Sequence, residues 1–233
     1  MNREFTAGVT ANLPVAFSVS AYGSVLGVLA AQKGITFLEL LLMNVAVFAG
    51  SAQFVLIDMW QPPFPILEIG LAVLVINLRY VLIGASLRPI FSGAGLGTKL
   101  GVMHLAADEN WAVTMAAYQK GEAVGPRYLL GGGVCLILAW CAGTLLGHSL
   151  GAAIQNPEAY ALDFAFIAVF TALSFSMWTG KENIIPWLSA VLLAIVTEQF
   201  IPGKWYVLVG GVGGAAVQAM MFKEEGEACH GSE

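Results

Sequence analysis

Seven stretches of this sequence, residues 13–31, 37–57, 66–87, 128–150, 162–178, 184–200 and 205–222, are apolar over about the length a helix needs to cross a bilayer, roughly 20 residues. That pattern leaves few folds open. Backbone N–H and C=O groups in hydrocarbon find no water, so such segments cross as helices whose hydrogen bonds are internal. Charge is too scarce for a water-facing surface: 11% of the 233 residues are charged and 58% apolar, with mean hydropathy +0.78, against about 25% charged in a soluble domain. The expected fold class is all-α: a polytopic transmembrane helical bundle of seven spans, six to eight being compatible, with broken helices near the midplane. Residues 1–222 read as a single transmembrane domain and 223–233 as a short polar C-terminal tail.

Proline marks the edges. Pro62, Pro63, Pro65, Pro89, Pro126, Pro157 and Pro202 all fall between stretches, where a missing N–H costs little. Residues 96–118 resist assignment. They hold Lys99, His104, Asp108, Glu109 and Asn110, which would be costly against lipid. The segment is an interfacial helix, a re-entrant element or a span that faces only protein. If it does not cross, Lys33, Arg88, Lys99, Lys120, Arg127, Lys181 and Lys223 gather on one side against Arg3 and Lys204 on the other. If it crosses, that bias disappears. Positive charge in short loops marks the cytoplasmic side, which favours seven spans, an external N-terminus and a cytoplasmic tail.

Small residues show where helices meet. Gly143, Gly147 and Gly151, Gly23 and Gly27, and Gly210 and Gly214 recur at four-residue spacing, which lets helix backbones approach closely in lipid. Intramolecular packing is the expected use, a homo-oligomer interface the alternative.

Two places inside the stretches break the apolar pattern. Asn44, Ser51 and Asp58 share one helical face at seven-residue spacing, and Gly50 beside Ser51 permits a kink or an unwound turn that frees backbone groups. Arg79 lies deep in the third stretch, where an arginine costs roughly 2.5 kcal/mol or more. It needs an acid, carbonyls or a water-filled cavity, and the acids on offer are Asp108, Glu109, Asp163 and Glu198. Asn77 and Arg79 cannot share a helical face at i,i+2, so the helix is broken there or each serves a different neighbour. His104 and His148 read as hydrogen-bonded interior or interfacial residues and Glu39 as an interfacial charge.

Other functions find little support. No cluster has metal-ligand spacing, no Gly-rich loop suits a phosphate, and no nucleophile has a base at motif spacing. No catalytic residue, metal or cofactor is expected. A net charge of -5 without a basic patch argues against nucleic acid. Cys135, Cys141 and Cys229 are too scattered for a disulfide framework. The polar interruptions do suit a small zwitterion. Arg79 and freed amides near Gly50 could take a carboxylate, Ser51, Gln53 and Asn77 an ammonium, and Phe48 and Phe54 could line an apolar pocket.

At these positions the chain resembles the AzlC family of branched-chain amino acid exporters. The resemblance rests on Val47-Phe48-Ala49-Gly50-Ser51-Ala52-Gln53-Phe54 and Ile76-Asn77-Leu78-Arg79-Tyr80, with Ala107-Asp108-Glu109-Asn110 and Leu162-Asp163-Phe164-Ala165-Phe166 in the same order. It implies a secondary transporter of the cytoplasmic (inner) membrane, exporting branched-chain or related hydrophobic amino acids. It also implies a small AzlD-type membrane subunit as partner. Residues 1–222 would be the transport domain. Importance carries over to Gly50, Ser51, Gln53, Asn77 and Arg79 as substrate-binding residues, and to Asp108, Glu109 and Asp163 as ion-coupling or charge-pair residues. Proton coupling would need a buried carboxylate among the last three. The competing function is a non-transporting membrane scaffold or assembly subunit.

Overall fold

The computed structural model describes residues 3–153, 171, 175, 178, 180–181, 184–202 and 205–221. Most of the 162–178 stretch, with Asp163 in it, and the 223–233 tail lie outside the described residues. Every regular element described is a helix: α1 (Arg3–Gln32), α2 (Phe37–Ala46), α3 (Gly50–Asp58), α4 (Ile66–Asn77), α5 (Arg79–Ser86), α6 (Leu96–His104), α7 (Asp108–Gln119), α8 (Pro126–Ala153), α9 (Ile184–Phe200) and α10 (Trp205–Met221). They form two compact units, Met1–Pro65 with Ile76–Phe166, and Ile66–Val75 with Ile167–Glu233. Among the described residues, α1, Ile66–Ser86 and α8 are long and apolar enough to cross a bilayer.

In the first unit α1 and α8 lie side by side and parallel. A Cβ added to Gly143, Gly147 or Gly151 would strike the backbone of Ser20, Ser24 or Val28 respectively, so contacts advance together along both helices. Gly27 returns the arrangement, lying against the Thr144 carbonyl. The four-residue glycine spacing is thus used inside the chain, for close helix packing. Two parallel spanning helices require an odd number of crossings between them, and Ile66–Ser86 supplies one.

The remaining helices between α1 and α8 form two re-entrant hairpins. Antiparallel to α8, α2 has the carbonyl of Ile35 at His148 (2.7 Å) and Asn44 at Thr144 (2.7 Å). It is 10 residues long, about 15 Å, or half the hydrocarbon core. After a break at 47–49 the chain turns back. Phe54 of α3 rests on Tyr22 at 4.8 Å, and one turn later the Asp58 carbonyl meets Lys33 Nζ at 3.3 Å, where α2 set out. The 37–57 stretch, expected to cross, therefore enters and leaves on one side. Its apolar length matches a span because each half of the hairpin is itself lined by lipid and protein.

From the opposite side, α6 and α7 make the second hairpin. Ala94, just before α6, and Val102 pack with Ile83, Leu87, Phe91 and Leu129 near the start of α8. At the tip Leu105 lies against Gly133, and α7 then retraces α8, with Asn110 against Gly132, toward Pro126. Residues 96–118 are thus the re-entrant element among the three forms the sequence leaves open. Without 37–57 the apolar stretches allow at most six crossings, the lower end of the expected range.

This path also bears on the expected orientation. In the first unit Arg3, Arg88, Lys99, Lys120 and Arg127 lie on one side and Lys33 on the other. Counted over these first-unit charges alone, the positive-inside rule favours a cytoplasmic N-terminus, where the count over the whole sequence favours an external one.

In the second unit α9 and α10 pair antiparallel. Gly210 lies against Ala190 and Ala194, and Gly214 against Ala190 and the Pro186 carbonyl. Gly211 of α10 faces Val75, and Trp178 meets Trp187 edge-on at 5.1 Å.

Two glycine substitutions separate close packing from backbone propensity. Gly147→Val should cost on the order of 3 kcal/mol or more, because the Ser24 backbone cannot yield. Gly101→Ala, whose Cβ meets nothing within 4 Å among the described residues, should stabilise α6 by about 0.5–1 kcal/mol. Unfolding temperatures of the purified protein in detergent measure both. Equal effects would disprove the α1–α8 contact.

Candidate functional site

A helix that stops inside a membrane leaves carbonyls at one end and N–H groups at the other without partners, so each break must be examined for what satisfies it. At the first break that residue is Gln53. Its Nε2 donates to the carbonyls of Val47 (2.8 Å) and Met43 (3.1 Å) and lies 3.3 Å from Asn44 Oδ1. Its Oε1 accepts from Trp140 Nε1 at 2.8 Å, and Asn44 Nδ2 donates to Thr144 Oγ1 at 2.7 Å. Gln53, Asn44 and Thr144 are fully buried. Gly50 is small for a reason: a Cβ would stand 3.1 Å from the Trp140 ring. Gln53, expected among the ligand groups, thus spends its amide on the break itself.

Asn110 organises the second break. Its Oδ1 accepts from the Ala107 N–H at 2.7 Å and its Nδ2 donates to the carbonyls of Leu105 (3.0 Å) and Leu129 (3.3 Å). The two hairpin tips touch, His104 Nε2 lying 2.8 Å from the Val45 carbonyl. His148 is bonded to a carbonyl, as expected of an interior histidine, and Glu39 closes a capping box with Thr36 at the entrance of α2.

The third break is at Leu78, between α4 and α5. Arg79, first residue of α5, reaches both hairpins: Nη1 lies 2.5 Å from Asp108 Oδ2, and Nη2 donates to Ser51 Oγ at 2.9 Å. Its guanidinium is also 5.3 Å from the Tyr80 ring centroid, while Tyr80 Oη donates to the Phe48 carbonyl at 3.5 Å. Of the acids the sequence offered to Arg79, Asp108 is the partner. Asn77 does not share these partners: its Oδ1 has no hydrogen-bond partner among the described residues.

The N-termini of α3 and α7 therefore converge on Arg79 of the Ile66–Ser86 span. Ser51 is in the first turn of α3, Arg79 begins α5, and Asp108 and Glu109 begin α7. Each N-terminus carries roughly half a positive charge. Arg79 and Asp108 offset one another, and no side chain caps α3. The pair is accessible, with 30% and 45% of the two side chains exposed, and Glu109 beside it is exposed too. Arg79 Nε and Asn77 Oδ1 are buried without a partner. Chemically this is a cluster of donors with one ion pair and one further acid at its edge.

Gly50, Ser51, Asn77, Arg79, Asp108 and Glu109 are thus brought to one neighbourhood, with Gln53 behind it. Asp163 lies outside the described residues. The sequence reading missed Trp140 and Thr144 of α8 and Tyr22 of α1. Their only local signal was a polar or aromatic residue within a glycine-rich helix.

Residues 14–154 match the family model described as AzlC protein. The chain belongs to the AzlC family. The match runs through both hairpins and α8, so the site lies inside it. A membrane protein of Archaeoglobus fulgidus, described as uncharacterized, is 28% identical over 76% of this chain and 78% of its own. The branched-chain amino acid transport protein AzlC of Bacillus subtilis is 20% identical over 88% of this chain and 80% of its own. The inner membrane protein YgaZ of Escherichia coli is 26% identical over 85% and 83%. No solved structure matches the chain.

The buried network at the first break of this AzlC protein can be tested without a substrate. Trp140→Phe leaves Gln53 Oε1 without its indole donor, and Gln53→Leu strips the Met43 and Val47 carbonyls. Each should lower stability by about 1–3 kcal/mol, the cost of a buried polar group left unpaired. Unchanged thermal unfolding in both variants would show that the break does not depend on these bonds.

Proposed function

We propose that this AzlC protein is a secondary transporter of the cytoplasmic (inner) membrane that exports branched-chain or related hydrophobic amino acids. The observation that carries this reading is the meeting of two re-entrant half-helix N-termini, those of α3 and α7, around the accessible Arg79–Asp108 pair. Broken helices at the midplane are how many carriers hold the charged ends of a substrate. The name of the Bacillus subtilis relative points to the branched-chain class.

In this mechanism the carboxylate takes the uncapped amides of Gly50 and Ser51 with the Ser51 hydroxyl and Arg79, competing with Asp108 for the guanidinium. The ammonium meets Asn77 Oδ1, a buried acceptor otherwise without a partner, and Glu109. Gln53 positions the Gly50–Ser51 turn rather than touching substrate. Once displaced, Asp108 is a lone carboxylate inside the membrane, a situation relieved by taking up a proton. Loading and proton uptake then become linked. Asp163 is kept as a further coupling candidate. A small AzlD-type subunit completes the transporter, as the family resemblance implies.

The scaffold alternative takes the Arg79–Asp108 pair as an internal staple. It has no use for an uncapped α3 N-terminus or an accessible ion pair.

Efflux of labelled leucine, isoleucine and valine from proteoliposomes, with and without the small subunit, decides between them. Wild-type protein should release label. Arg79→Lys should lower the rate at least about tenfold, because an ammonium cannot fork to Ser51 and Asp108 together. No flux under any gradient would remove the transporter reading. Asp108→Asn, Glu109→Gln and Asp163→Asn test coupling: at least one should flatten the dependence on pH, and a pH profile unchanged in all three would exclude it.

A further inference from the structure

Tyr22 of α1 is a polar residue beside the site whose hydroxyl no described residue satisfies. Its hydroxyl oxygen is buried and has no hydrogen-bond partner. A buried donor left unmade is costly, so such a group calls for an explanation, and a ligand that it serves is one. The other such atoms are Arg79 Nε and Asn77 Oδ1, both in the site, and Asn12 Oδ1. Asn12 lies ten residues earlier on α1, about 15 Å away along the helix.

The Tyr22 ring is held from two sides. Phe54 of α3 packs on it with centroids 4.8 Å apart, and Trp140 of α8 lies 5.7 Å away. Trp140 in turn touches Gly50 and bonds Gln53. The phenol is therefore clamped beside the first turn of α3, and it lies within electrostatic reach of Arg79 and Glu109. Its position is fixed by aromatic packing, which leaves the hydroxyl free to serve a ligand.

We propose that Tyr22 is a substrate-binding residue whose hydroxyl donates to the amino acid carboxylate, completing the donor set of Arg79, Ser51 and the α3 amides. Side selection follows from placement. Apart from Glu109, which the ammonium takes, the groups around the phenol are donors, Arg79 and the N-terminus of α3, and a phenol donates well to a carboxylate. The assignment rests on the amino acid transporter reading above.

The experiment compares wild type with Tyr22→Phe, which keeps the ring and its packing and removes only the oxygen. In leucine efflux from proteoliposomes the KM of Tyr22→Phe should rise about tenfold with kcat nearly unchanged, the loss expected of a hydrogen bond to a charged group. Leucinol, which keeps the ammonium and lacks the carboxylate, should inhibit both proteins within about twofold of each other. Thermal unfolding of the substrate-free variant in detergent should be no lower than that of wild type, since the clamp is intact and the buried unpaired hydroxyl is gone. An unchanged leucine KM would overturn the proposal, and so would a leucinol penalty as large as that for leucine. If wild type and Arg79→Lys behave as expected while Tyr22→Phe does not, the Tyr22 assignment alone fails. If wild type moves no amino acid, the transporter reading fails and takes this assignment with it.

Discussion

A guanidinium in the interior of a membrane can persist only where protein has replaced the water it gave up, and most of the first unit is arranged around that requirement. Arg79 sits at a break in α4–α5, so its own helix offers it no cover. Its partners, Ser51 and Asp108, come from hairpins that enter from opposite sides. Neither hairpin could deliver them if it crossed: a spanning helix would carry Ser51 or Asp108 past Arg79 with its N–H groups already bonded internally. The re-entrant form stops the helix at the depth of the arginine.

What is satisfied at the breaks, and what is not, gives the site its sign. The carbonyls at the ends of α2 and α6 are taken up by Gln53, His104 and Asn110. The N-terminus of α3 has no side-chain cap. The carbonyls at these breaks are consumed by the protein while the α3 N–H groups are left without a side-chain cap, with Asn77 Oδ1 and Glu109 left as acceptors beside them. The α3 end of the site therefore favours an anionic group. Asp108 supplies one such group from within the chain, and its partial exposure leaves it open to competition from another.

The frame for this is the α1–α8 pair. Glycine contacts bring the two backbones close enough that α8 can turn Trp140 and Thr144 toward α2 and α3 while its glycines face α1. Aromatic and hydroxyl groups on one helix thus hold the first hairpin and clamp Tyr22 as well. A change at the glycine face would move the tryptophan and, through Gln53, the Gly50–Ser51 turn.

Much of this was legible residue by residue. Scarce charge and long apolar stretches determined that the chain is helical and membrane-embedded, because the bilayer acts on each segment separately. Arg79 announced that an acid must lie near it, and Gly50-Ser51 that a helix must break, since both are local consequences of desolvation and backbone freedom. Which acid, and that Gln53 braces the break, required contacts across about 30 to 90 positions that no periodicity records. Direction was hidden as well. Half a hairpin in contact with lipid is as apolar as half a span, so 37–57 read as a crossing, and only the return of Asp58 to Lys33 shows that it is not. Sequence therefore decided the solvent and the polar groups that had to be reconciled with it. Tertiary structure decided where the chain turns back, and hence which groups meet.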